Sequence, residues 1–169
     1  MRSATPATLT LKPSAVVPYA AIYCTNRVSL VMDGAPGSEQ VFTHRYSHTD
    51  GDLAVKGGTL AFQWGAGWGG PSVSVTGGTL RIGEGSGDVA FGRETKADLA
   101  ISGDGRVEIA AGERAVVGAV TVNGVALTCG RWGGPGSAAP AAHQIPELAG
   151  TGVLRVTKGE HEGLSVILR

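Results

Sequence analysis

A chain of 169 residues with 14 basic and 14 acidic side chains is long enough for one domain with a buried core. Its charges are interspersed, without the basic stripe of a nucleic-acid binder, and no apolar run approaches the ~20 residues of a membrane-spanning helix. Gly is abundant at 28 residues while aromatic residues make up only 5%, so Val, Ile, Leu and Ala must fill the interior, a composition suited to narrow stacked strands.

The first 49 residues carry two weak strand–turn–strand units, ATLTLKPSAVV from Ala7 and VSLVMDGAPGSEQVF from Val28. Between them, residues 15–22 form the most apolar early stretch. It holds Pro18 and has no basic flank, so it does not read as a signal peptide. An exported form of the chain would be mature already, or a piece of something longer. Cys24 and Cys129 match no metal-binding spacing. Two free thiols and one disulfide fit the sequence equally well, and a bridge would suit an oxidising compartment.

Asp33 lies in LVMDGAPGS and Asp50 in SHTDGDLAV, two Asp-Gly steps in similar settings. A hydrolase built on paired carboxylates needs two such groups facing one reacting bond, so Asp33 and Asp50 are the candidate catalytic pair. Asp-Gly is also ordinary turn chemistry, as Asp104-Gly105 illustrates. His44, His48, Asp50 and Asp52 form the densest set of metal-ligand residue types. His44 and His48 would share one face of a strand; the same stretch also fits a solvated loop between coils. Glu160-His161-Glu162 lacks the second His of a zinc-protease helix and reads as an exposed turn.

Internal repetition is the main signal of the middle segment, 50–119. LAVKGGTLAF (53–62), VSVTGGTLRI (73–82) and LAISGDGRVEI (99–109) each place a Gly turn between two short alternating strands. Alternation points Val73, Val75, Leu80 and Ile82 one way and Ser74 and Thr79 the other. Gly-Gly suits a two-residue hairpin and equally a sharp corner between stacked coils. Recurrence at the length of one coil favours the second, because each coil buries its face only against a neighbour. No segment has a sustained helical period. The expected fold is all-β, a right-handed parallel β-solenoid spanning 1–169 as one domain, with 120–169 as a C-terminal capping segment. Trp64 and Trp68 lie in QWGAGWGGP, and Trp132 in RWGGPG. Their flat rings are candidates for stacking on sugars, or else fold back over the edge of the core.

The units GDLAVKGGTLAF and GPSVSVTGGTLRIG resemble the autotransporter-associated β-strand repeats of bacterial passenger domains. AVTVNGVALTCGRWGGPGSAAPAAHQIPELAGTGVLRV resembles the closing segment of such proteins, with Cys129 where a small residue or Pro is usual. The likeness covers about residues 50–156. It implies the C-terminal portion of a secreted or cell-surface scaffold or adhesion module. Such a module needs no cofactor and contacts host glycans through Trp64, Trp68 and Trp132. The alternative is a secreted hydrolase of a glycoprotein such as mucin, and it requires Asp33 and Asp50 to converge on adjacent coils.

Overall fold

Each strand–Gly–strand unit turns a corner between two sheets instead of folding back as a hairpin. The computed structural model describes residues 7–17, 28–43, 51–93 and 95–160. The first coils are built from β1 (Ala7–Leu11) and β2 (Val16–Val17), then β3 (Val28–Asp33) and β4 (Glu39–Phe42). The clear repeats give β5 (Leu53–Gly57) and β6 (Thr59–Phe62), β7 (Ser72–Val75) and β8 (Thr79–Ile82), and β9 (Asp98–Ile101) and β10 (Arg106–Ile109). Odd-numbered strands stack in parallel in one sheet, in the order β1-β3-β5-β7-β9, and even-numbered strands β2 to β10 stack in parallel in the other. Thus β7 pairs with β5 and β9, while β8 pairs with β6 and β10. The molecule is a β-solenoid.

Gly78 shows why the corner needs glycine. Its φ is +78°, a region L side chains rarely enter. A Cβ there would also stand 2.3 Å from the carbonyl oxygen of Gly58 in the coil before. Both the local turn and the stacking of turn on turn therefore select the same residue.

Pairing in register sets like side chains on like. Leu30, Leu53, Val73, Leu99 and Val120 form one inward column, and Leu60, Leu80, Val107 and Leu148 form another on the facing sheet. These side chains are buried, at about 1.5–3 kcal/mol of transfer free energy for each large aliphatic group. Phe42 and Phe62 stack in the adjacent column with ring centroids 6.3 Å apart. Val73, Val75, Leu80 and Ile82 all point into the core, as their alternation predicts.

A third wall closes the core. At one end it consists of β11 (Arg114–Val117), later joined by β14 (Gly130–Trp132) and β16 (Val153–Val156). In earlier coils the excursions 63–71 and 83–97 occupy this side and bury Ala66, Trp68, Ala90, Phe91 and Ala97. The parallel ladder of the first sheet ends at β12 (Val120–Val122). There Asn123 and Gly124, at φ 49° and 83°, reverse the chain into antiparallel β13 (Val125–Ala126). The chain then passes through a short 3-10 turn, Ala141–His143, and rejoins the second sheet as β15 (Leu148–Ala149). At the opposite end β1 and β2 are the outer described strands, and Leu9, in register with buried Leu30, is 40% exposed. Among the described residues no helix is long and apolar enough to cross a membrane.

Polar groups at the strand starts link successive coils. Ser72 Oγ donates to Asp52 Oδ1 at 2.6 Å, and Asp98 Oδ1 accepts from the Ala119 N–H at 2.9 Å and from Lys158 Nζ at 3.1 Å. The Ala119 N–H holds the Asp98 carboxyl below its ordinary pKa; partial burial opposes this and Lys158 reinforces it. A carboxyl depressed on folding stabilises the fold above its unfolded pKa of about 3.9, and that contribution is lost as pH falls below it. Thermal unfolding of Asp98→Asn is therefore expected to fall less steeply below about pH 4 than wild type, and parallel curves would refute the linkage.

The Ser86 hydroxyl is fully buried without a hydrogen-bond partner among the described residues. One coil earlier the same turn position holds Ala66: its N–H donates to Gln63 O, as the Ser86 N–H donates to Gly83 O. Ser86→Ala is expected to raise stability by about 1 kcal/mol, read as a higher urea midpoint at unchanged slope.

Candidate functional site

The turns that follow β6, β8 and β10 form a column on one side of the coil stack. Gln63-Trp64-Gly65, Gly83-Glu84-Gly85 and Ala110-Ala111-Gly112 each end on a glycine of positive φ, at 85°, 74° and 79°. The Trp64 N–H donates to the Glu84 carbonyl at 2.7 Å, and the Trp64 Cα lies 3.5 Å from where a Cβ on Gly85 would stand. The Trp64 turn therefore sits directly on the Glu84-Gly85 turn of the next coil.

Beside that second turn opens a cleft of about 360 Å³ lined by Gly85, Gly87, Asp88, Gly112, Glu113 and Arg114. Its floor is open at Gly112, where a Cβ would meet nothing within 4 Å, while Gly87 lies against Glu113 and Arg114, whose Oε2 and carbonyl oxygen would stand 2.7 and 2.8 Å from a Cβ there. Glu113 sets the shape. Its two carboxylate oxygens accept from the Gly85 N–H at 2.8 Å and the Gly87 N–H at 2.9 Å, a backbone nest filled by an internal anion. From the other side Lys96 Nζ donates to the carbonyls of Asp88, at 2.7 Å, and Gly92. Burial lowers the Lys96 pKa, and the nearby Asp88 charge opposes that shift. Asp88 is thus pinned between two anchors, Glu113 and Lys96. No hydrogen bond, and no ion pair within 4 Å, joins the Asp88 carboxylate or the Arg114 guanidinium to another described group.

Trp64 is the exposed tryptophan of the described residues, at 57%. Its φ of +52° is an outlier for a bulky residue, and such conformations cost about 1–3 kcal/mol and concentrate where function requires them. The site thus offers an exposed ring, an acceptor carboxylate, a donor guanidinium and backbone open at Gly112.

The other candidates fall elsewhere. Trp68 is 2% exposed, and its indole N–H donates to the Gly51 carbonyl at 3.0 Å. It fills the third wall. Trp132 also packs against the protein. It is 9% exposed, covered on one face by His143 at 4.3 Å between centroids, and donates its indole N–H to Thr128 O. Asp33 ends β3 in an ion pair with Lys12 at 3.1 Å. Asp52 lies at the level of Ser29, whose Oγ accepts its N–H, so along the strand it is separated from Asp33 by about 13 Å. The structure does not bring these two carboxylates together. His44, His48, Asp50 and Cys24 lie outside the described residues, and with them the proposed catalytic partner of Asp33 and most of the proposed metal set. Among the described residues no group of three or more His, Cys, Asp or Glu side chains is arranged to hold a metal ion. Cys129 is a free thiol whose Sγ donates to Gly159 O at 3.3 Å.

A second depression of about 270 Å³ crosses the outer face of the first sheet over Ser72, Ser74, Asp98, Ala100 and Thr121. Its charged group, Asp98, already serves Ala119 and Lys158, and Ser72 serves Asp52. Asp88, Glu113 and Arg114 escape a reading that follows the strands of each repeat. Aligning the turns after the second strand would have put GEGSG and AAGER in one column.

Glu113→Ala leaves the Gly85 and Gly87 amides without their acceptor. It is expected to cost about 1–3 kcal/mol and to speed hydrogen exchange at those two amides, while Glu113→Gln retains part of their protection. Unchanged exchange in Glu113→Ala would exclude the anchoring role. Comparison with protein-family models, with curated proteins and with solved structures finds no match for this chain, so the site is read from its own geometry.

Proposed function

We propose that the chain is a non-catalytic scaffold or adhesion module, secreted or displayed at a bacterial cell surface, that contacts glycans at the Trp64 turn and the Asp88–Arg114 cleft. The observation that carries this reading is Trp64 itself. A bulky ring is held 57% exposed on a left-handed turn that stacks on the Glu84-Gly85 turn, and Gly85 lines a cleft whose Asp88 carboxylate and Arg114 guanidinium have no hydrogen-bond or ion-pair partner among the described residues. Sugar rings present apolar C–H faces for an indole to cover and hydroxyls that both donate and accept, the complement of Asp88 and Arg114. The resemblance of the repeats at 53–62 and 73–82 to autotransporter-associated repeats supports surface display. A hydrolase would need two carboxylates facing one bond, and the described Asp33 and Asp52 are engaged separately with Lys12 and Ser72.

A ring kept for binding and a ring kept for packing respond oppositely to glycine. Trp64→Gly relieves the positive φ and is expected to leave stability equal to wild type or higher by about 1 kcal/mol. Binding to immobilised oligosaccharides is expected to weaken by roughly tenfold or more. A destabilised variant with unchanged binding would assign Trp64 to packing and remove the basis of the proposal.

A further inference from the structure

We infer that the cleft favours neutral and amino sugars and disfavours acidic ones. The inference rests on the glycan reading above and adds the charge class of the ligand. Asp88 and Glu113 line the cleft against one cation, Arg114, and exposed Glu84 stands in the turn that carries Gly85. Lys96, the other cation beside Asp88, spends its ammonium protons on the carbonyls of Asp88 and Gly92. The Glu113 oxygens are fixed by two backbone amides, which hold that charge at the cleft wall. Two carboxylates of the cleft lining thus stand against one guanidinium, with Glu84 in the adjoining turn and the Lys96 ammonium held on backbone carbonyls. A sugar carboxylate or sulfate that reached Arg114 would enter the same cleft as Asp88 and Glu113, and like charges sharing one cleft repel. A neutral ring loses nothing of this kind. Its hydroxyls donate to Asp88 and accept from Arg114, and an ammonium on the ring gains the carboxylates' field.

The test compares hexamers of N-acetylglucosamine, glucosamine and galacturonic acid on the whole chain by calorimetry. The glucosamine hexamer is expected to bind at least as well as the N-acetylated one. The galacturonate hexamer is expected to bind about tenfold more weakly at low salt, a gap that shrinks at ~0.5 M salt. Asp88→Asn is expected to narrow the gap by improving galacturonate binding relative to the N-acetylated hexamer. Galacturonate binding equal to or tighter than the neutral hexamer, or an unchanged gap in Asp88→Asn, overturns the charge assignment. If that happens while Trp64→Gly still abolishes binding, glycan recognition survives and only the charge class is lost. Failure of all three hexamers to bind wild type overturns both.

Discussion

The structure depends on a side chain in one coil resting on its counterpart in the next. A strand alternates its faces every second residue, so a slip of one position between coils would turn a whole row of Leu and Val outward. Parallel pairing in register, Leu53 on Val73 on Leu99 and Leu60 on Leu80 on Val107, avoids that. The glycine corners allow it, because they let the chain change sheets without lifting one coil away from the next. At Gly78 any side chain would strike the carbonyl of the turn above it. The hydrogen bonds that stabilise a coil therefore run between coils, and the core is one continuous pair of columns shared by all of them.

That arrangement leaves the connections free to vary. Where β6 leads to β7 and β8 to β9, the chain makes excursions of unequal length on the side later closed by β11 and β16. Both excursions return to the ladder in register. Each surrenders some residues to the core, Trp68 and Phe91 among them, and keeps others outside. Trp64 and Asp88 belong to the second kind. The cleft arises where such turns stack, and its geometry is maintained by bonds from Glu113 across a coil and from Lys96 within the same excursion. A rigid ladder bearing adjustable turns places the candidate site on loops and draws its precision from the stacked strands.

The two ends differ for an equally simple reason. After β12 the Asn123-Gly124 turn sends the chain back antiparallel as β13, so the next parallel strand has no place to form. Gln144 then ties the long return loop together, donating to the carbonyls of Ser137 and Ala139 and accepting from the Gly136 N–H. At the β1 end the same apolar column that is sealed at Val120 opens at Leu9. One coil inward, Gln40 takes a place in the column otherwise held by Leu60 and Leu80, and its amide bonds the carbonyls of Val17 and Val41.

Local chemistry made the ladder legible in the sequence. Alternation at 53–62 and 73–82 assigns inward and outward residues, and Gly-Gly marks the corner between them. Both are properties of neighbouring residues, and the structure follows them at β5 to β8. Trp64 and Trp68 share one Gly-rich stretch and one residue type, yet one ring is displayed and the other buried. Only the excursion of the next coil, whose Ala90 carbonyl accepts the Trp68 N–H, decides between them. Asp33 and Asp52 stand close along the chain but at different levels of their strands. Glu113, by contrast, reaches back across a coil to Gly85 and Gly87. The sequence by itself determined the repeating coil, because that is set by period and turn. The tertiary structure decided the site, because a site is made by residues that become neighbours only once the coils are stacked.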